Sequence, residues 1–229
     1  MELSYKKLLR KAVLFQDIND AGYDVLIKCL APQIKTYTKK EIILLTGDLS
    51  SHIGIILTGT APAYLEHING NHTLITNLSP GRVFGEVLVS TRTHQSPVTI
   101  YASSDVTIAY IEYQKLYSIC SAACEAHKTF LQNIHKAIGD KYFQLFDRVN
   151  ILSEKSLRLK IFAYLYSLSD RGKKQVIKIP YSKTMLADYL LSNRSALSKE
   201  LHKMQREGLI TVKGREITIK NILGLIDSF

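Results

Sequence analysis

Apolar positions along this chain recur with different spacings, and the changes in spacing divide it into segments. Residues 4–11 and 20–30 have the rhythm of short helices; in the second, Tyr23, Leu26, Ile27 and Leu30 share one face. From Ile34 to Ile111 the texture becomes short β-branched runs: Glu41–Leu45, His52–Leu57, Thr73–Thr76, Val98–Ala102 and Thr107–Ile111. Turn signals separate them, at Gly47-Asp48, Gly59, Asn69-Gly70-Asn71, Ser79-Pro80-Gly81 and Ser103-Ser104-Asp105. Regularly spaced short strands predict a small antiparallel β-barrel or sandwich, jelly-roll-like in type. Asn69-Gly70 predicts a tight hairpin, since both residues tolerate positive φ. Pro62 and Pro97 are expected at a sheet edge or a strand start.

From Tyr113 to Leu152 Pro is absent, and Leu131, Ile138, Leu145 and Leu152 recur every seven residues. Phe130, Ile134, Ala137, Tyr142 and Val149 stand beside them. This predicts one helix on the order of 50 Å long with a seam for another helix. Such a length exceeds what a small barrel covers, so a second copy of the chain is the expected partner; packing on its own domain alone is the alternative. Ser153–Ser156 breaks the pattern and reads as a hinge. A helix is expected from Ser156 to Ser169, with Leu157, Ile161, Phe162, Leu165 and Leu168 inward, then a loop at 170–174 and a strand at Val176–Ile179.

Ile179–Ile210 then parses as two short helices joined by a tight turn. Ser182 is a natural N-cap, and Met185, Leu186, Tyr189 and Leu190 form an apolar face. Asn193 caps a second helix whose stripe is Leu197, Leu201 and Met204, and Gly208 stops it. Ala187 is small where the two helices must cross. The opposite face of the second helix carries Arg194, Ser195, Ser198, Lys199, His202 and Arg206. Leu209–Val212, Lys213-Gly214-Arg215 and Glu216–Ile219 read as strand, turn and strand, a basic wing behind a helix-turn-helix.

Charge sharpens this picture. The chain of 229 residues carries a net +10, and residues 153–229 hold 15 Lys and Arg against 7 Asp and Glu, leaving +8 in that third of the molecule. A polyanion-binding domain needs such a concentration. The expected divisions are 1–112, a sensing barrel with N-terminal helices; 113–152, a dimerisation helix; and 153–229, a DNA-binding domain. No apolar stretch follows the basic start as a secretory signal would, and no run approaches the ~20 residues that span a bilayer. With three cysteines, an odd number, no disulfide framework is expected, and a cytoplasmic location follows. Walker, nucleophile-elbow and zincin motifs are absent, so no enzyme activity is expected.

The order of these elements resembles the Crp/Fnr transcription regulators over nearly the whole chain. The likeness is carried by Gly54–Gly59, Pro80–Glu86, and Leu186–Leu190 through Arg194–Leu201. It implies an α+β protein that binds double-stranded DNA as a homodimer and contacts RNA polymerase. It places Arg194, Ser195, Ser198 and Lys199 at base edges and Ser182, Lys183 and Thr184 at phosphates, with the wing at Lys213, Gly214 and Arg215. Ser195 stands where better-known members have a glutamate. Cyclic-nucleotide-binding members begin a phosphate cassette with a Gly-Glu pair and place an arginine ten residues after the glutamate. Here Gly85 and Glu86 match, but the tenth position is Ser96, followed by Pro97 and Val98. A cyclic phosphate would lack its bidentate partner unless Arg92 replaced it. Cyclic AMP is therefore not the expected effector, whose identity is unknown. Gly85 is expected to turn the chain and Glu86 to accept backbone N–H bonds.

Cys120, Cys124 and His127 recur at i, i+4 and i+7, on one helix face. They invite a redox- or metal-responsive reading, although three ligands on one helix cannot alone surround a tetrahedral ion. Small buried cysteines are the plainer alternative. Iron–sulfur members of the family carry an N-terminal cysteine cluster; no cysteine precedes Cys29, so no such cluster is expected, and Cys29 reads as core. His67 and His72 flank the hairpin turn as solvated loop residues. The competing class is a ligand-binding module whose C-terminal domain binds protein.

Overall fold

The computed structural model describes residues 3–117, 125–170 and 173–220. By internal packing the chain forms two compact units, residues 1–141 and 142–229.

The first unit opens with α1 (Leu3–Arg10) and α2 (Asp20–Leu30), the latter capped by Asn19, whose side chain accepts from the Gly22 N–H. Eight strands follow: β1 (Gln33–Tyr37), β2 (Ile42–Leu44), β3 (His52–Thr58), β4 (Ala61–Glu66), β5 (His72–Leu78), β6 (Val83–Phe84), β7 (Thr99–Tyr101) and β8 (Val106–Glu112). They make two four-stranded antiparallel sheets, ordered β1-β8-β3-β6 and β2-β7-β4-β5. Alternation along the central strands feeds two cores. Ile53, Ile55 and Leu57 of β3, with Ala109 and Ile111 of β8, face the helices. Ile56, Val106 and Ile108 point the other way, onto Ala61, Ala63, Leu78 and Ile100 of the second sheet. A strand buried on both faces reads as a continuous apolar run, as Ile53–Leu57 does.

Pro62 lies in β4, an internal strand, but beyond its pairing with β7, which begins at Ala63; it therefore costs no ladder bond on that side. Pro97 precedes β7. The hairpin at Asn69-Gly70 is longer than expected. Only Gly70 has positive φ (78°), and a turn closed by Gly70 N–H on His67 O precedes it, so the loop is a turn followed by a left-handed residue. Cys29 is exposed and not core: α2 buries Tyr23, Leu26, Ile27 and Leu30, and position 29 falls off that stripe.

After α3 (Gln114–Tyr117), α4 runs from Glu125 to Ser153, about 44 Å at the α-helical rise. Its first half does not offer the whole expected seam. Phe130 and Ile134 are buried in the core of their own unit, beside the outer face of β3 and β8, with Leu131, Ala137 and Ile138 partly packed there. Farther along, Tyr142, Leu145, Phe146 and Val149 fall at i, i+3, i+4 and i+7, and all are exposed.

The second unit holds α5 (Leu157–Leu168), capped by Ser156; β9 (Val176–Lys178); α6 (Lys183–Tyr189); α7 (Arg194–Arg206); and the hairpin β10 (Ile210–Lys213) and β11 (Glu216–Ile219), on which β9 pairs. Ile161, Leu165, Ile177, Leu186, Ala187, Leu190, Leu197, Leu201, Met204 and Ile217 share its core. Ile151, before the Ser153–Ser156 break, packs into the same core, so the break is bridged and is not an open joint. The turn between α6 and α7 is a Schellman motif: the Ser192 N–H reaches Ala187 O and the Leu191 N–H reaches Asp188 O. Its left-handed position, normally glycine, is Leu191, at φ 51° and 56 % exposed. An exposed leucine there bears a left-handed penalty without a core contact to offset it. Leu191→Gly should raise unfolding stability by about 1 kcal/mol, read by urea denaturation of the full chain.

Candidate functional site

The residues expected at DNA converge on one surface of the second unit. Asn193 Oδ1 accepts from the Ala196 N–H at 2.7 Å, fixing the start of α7. From that start Arg194, Ser195, Lys199, His202 and Arg206 are exposed and Ser198 half-exposed, on the side opposite buried Leu197, Leu201 and Met204. The Ser195 hydroxyl donates to Asn193 Oδ1 at 2.7 Å. Its oxygen lone pairs are what it can offer a base, so it acts as an acceptor. Ser182 Oγ accepts from the Met185 N–H at 3.2 Å and starts α6, leaving Lys183 and Thr184 exposed in the first turn. The wing is a two-residue hairpin closed by the Lys213–Glu216 pair. Gly214, at φ 61°, takes its first central position, where a side chain would be strained, and Lys213 and Arg215 are exposed on either side.

Sequence reasoning did not identify how the acidic residues of α7 are handled. Arg158 of α5 meets Glu200 Oε1 through Nε at 2.6 Å and Glu207 through Nη1 at 2.6 Å and Nη2 at 3.0 Å. The guanidinium holds the Glu207 carboxyl below its usual range, and the two carboxylates raise Arg158 in turn. Glu200 is thereby turned towards α5, off the cationic face. A second feature was also not foreseen. Arg148 of α4, only 5 % exposed, lies over the Tyr189 ring at 4.5 Å and donates through Nη2 to Tyr189 O at 3.3 Å.

In the barrel unit, Gly85 is at φ 85°, and a Cβ there would stand 2.5 Å from His52 O, so only glycine fits the turn. The following Glu86 is fully buried, but it does not cap the backbone. Among the described residues no backbone N–H donates to its oxygens; instead Lys141 Nζ of α4 stands 2.5 Å from Oε1 and also donates to Val83 O at 2.9 Å. Ser96 is buried, with its Oγ donating to Val98 O at 2.7 Å and accepting from the Val98 N–H at 3.3 Å, a closed local turn. Val98 packs beside the sandwich core, and Arg92 lies exposed on the 91–95 loop. The Glu86 carboxylate thus has a cation from its own chain, and the tenth position after it is a serine engaged with its own backbone turn.

His127, half-buried in α4, has its imidazole held below the usual range by burial. Cys120 and Cys124 lie outside the described residues. Among the described residues no cluster of three or more His, Cys, Asp or Glu has metal-binding geometry. His67 Nε2 meets Thr73 Oγ1, while His72 packs edge-on to Tyr64, so the two do not converge. Removing the cation beside Glu86 strands a buried carboxylate. Lys141→Met should cost about 3 kcal/mol in denaturant unfolding, and the double change with Glu86→Gln should recover most of it.

The sequence was also compared with known proteins. The cyclic nucleotide-binding domain family matches residues 34–123, and the Crp-like helix-turn-helix domain family matches residues 160–228. The chain is 23% identical over 217 residues to a probable transcriptional regulator, flp, of Lacticaseibacillus casei, covering 91% of each. It is 21% identical over 192 residues to the cyclic AMP receptor protein of Thermus thermophilus, covering 82% of this chain and 86% of that one. Among solved structures, a CooA variant from Carboxydothermus hydrogenoformans superposes with a TM-score of 0.71 at 20% identity, covering 89% of each chain. The global regulator CLP of Xanthomonas campestris does so at 0.66 and 17%, covering 88% of this chain and 100% of that one. A cyclic nucleotide-binding-type β domain joined to a Crp-like winged helix-turn-helix makes this chain a member of the Crp/Fnr family of DNA-binding transcriptional regulators.

Proposed function

We propose that the protein reads a palindromic operator as a homodimer, through α7 in the major groove and the wing on the flanking phosphates. The observation that carries this reading is the exposed face of α7, where Arg194, Ser195, Ser198 and Lys199 stand together opposite the buried stripe. Arg194, in the first turn, suits bidentate contact with guanine O6 and N7, and Lys199 suits guanine or phosphate. Ser195, with its hydroxyl proton engaged at the cap, favours a base that donates, adenine through N6 or cytosine through N4. Ser182, Lys183, Thr184, Lys213 and Arg215 are assigned to phosphates, which fix register and do not read sequence. The exposed apolar strip Tyr142, Leu145, Phe146 and Val149 is assigned to the second copy of the chain. RNA polymerase is the expected protein partner.

The effector of the barrel is assigned to a class other than cyclic AMP. The pairing of Glu86 with Lys141 and the closed Ser96 turn support this reading. Among the described residues no helix is long and apolar enough to cross a membrane, and the reading requires none.

Selecting bound duplexes from a random pool tests the central reading: two inverted half-sites about one helical turn apart should be enriched. If no duplex is enriched at low salt, the reading fails. Affinity for the selected duplex should fall by about a thousandfold or more between about 50 and 200 mM salt. Arg194→Ala should cost about 1–3 kcal/mol and relax preference at one base pair, whereas Lys213→Ala should weaken all sequences alike. Calorimetry with cyclic AMP and cyclic GMP should show no submillimolar binding; a measured isotherm in that range would overturn the assignment of the barrel.

A further inference from the structure

Arginine is seldom buried, and where it is, its guanidinium ties together the groups it meets. Arg148 lies on α4 one residue before Val149 of the exposed apolar strip, about 100° round the helix from it, and is buried within the second unit. Its guanidinium lies over Tyr189, the last residue of α6, and bonds that residue's carbonyl, immediately before the turn into α7. The Tyr189 ring is itself boxed in, 5.1 Å from Tyr181 and 5.5 Å from Tyr164 of α5. Tyr181 precedes the Ser182 cap of α6, so the box holds both ends of that helix. Burial raises the Tyr189 hydroxyl above its usual range, in keeping with a dry enclosure. Helices α4, α5 and α6 of the same unit therefore meet around the Tyr189 ring.

We infer that Arg148 is a positioning residue for operator recognition, clamping the helix-turn-helix to the segment of α4 that carries the exposed apolar strip and so setting the spacing between the two recognition helices of a dimer. This rests on the dimeric DNA-binding reading above. Across the Ser153–Ser156 break Ile151 supplies a non-directional apolar contact, which does not fix the angle of α5–α7 on α4. The clamp crosses that break directly, from Arg148 to Tyr189. Arg148 grips the end of α6, behind the turn into α7, so it acts on the distance between half-sites and not on the reading of either one. A guanidinium suits the role because its plane stacks on a ring while its edge donates to a carbonyl, which an ammonium cannot do together.

The test uses the full-length protein and duplexes selected by the wild type: the intact palindrome, a single half-site, and the palindrome with one base pair inserted at its centre. The insertion shifts and rotates one half-site relative to the other, and wild type should lose about tenfold or more in affinity. Arg148→Met, which keeps the apolar bulk, should show a penalty of about threefold or less, with half-site affinity within about twofold of wild type. Tyr189→Phe keeps ring and carbonyl and should behave as wild type. Arg148→Met that retains the full insertion penalty overturns the inference. So does a half-site affinity that falls in step with a lowered melting temperature, since that marks a merely structural role. An independent arm needs no DNA: spin labels at Gln144→Cys and His202→Cys, in a background with the three native cysteines replaced by serine and diluted with unlabelled protein. Their distance distribution should broaden in Arg148→Met, and an unchanged width overturns the clamp. If wild type selects no duplex, the DNA reading fails while this arm still judges Arg148.

Discussion

Helix α4 contributes side chains to the cores of both units, and because successive residues step by about 100°, it changes partner along its length as well as around its circumference. Phe130 and Ile134 are spent on the core of the barrel unit, and Lys141 emerges on the same side to meet Glu86. Past Lys141, Arg148 and Ile151 turn into the second unit, while Tyr142, Leu145, Phe146 and Val149 occupy the remaining sector and stay exposed. A one-residue insertion or deletion in α4 would rotate every later residue by about 100° and take Arg148 and Ile151 away from their partners. This explains why the helix mixes buried charge, aromatic and aliphatic positions more freely than a simple coiled-coil seam would.

Buried charge in this molecule is compensated in three different ways. Glu86 meets an ammonium reaching in from a half-buried lysine. Arg158 forks onto two carboxylates near the surface, which suits the planar geometry of its donors. Arg148 has a ring face and a carbonyl. The second arrangement shapes the exposed face of α7 that we propose meets DNA, because it turns the one acidic residue within α7 towards α5 and leaves Arg194, Lys199 and Arg206 to set the potential. The first bears on sensing: a carboxylate neutralised from within the chain has little left to offer a ligand hydroxyl.

The C-terminal unit was legible in its residues almost position by position. Ser156, Ser182 and Asn193 cap their helices as local chemistry requires, and Gly208 ends α7 in the left-handed conformation. Capping and 3.6-residue periodicity are short-range signals, so they survive without knowledge of the rest of the fold. In the barrel, central strands buried on both faces announced themselves as apolar runs. The edge strand β1, Q-I-K-T-Y and mostly exposed, and β4, with its Pro62, carried no such pattern. Their membership in a sheet comes from partners 77 and 15 residues away along the chain, Tyr110 for Gln33 and Asn77 for Pro62, distances that no local window spans.

By itself, the sequence determined the order of elements, the helix-turn-helix with its cationic face, and a serine at position 96 where the family resemblance leads one to expect arginine. All of these rest on residue type and near-neighbour spacing. Tertiary structure alone decided which side of α4 is spent on its own domain, that Lys141 and not the backbone satisfies Glu86, that Cys29 lies outside the core, and that Arg148 grips Tyr189. Each of these depends on where one side chain's reach ends among residues remote in sequence. A buried charge is placed by the partner it finds there, and only the folded chain brings that partner within about 3 Å.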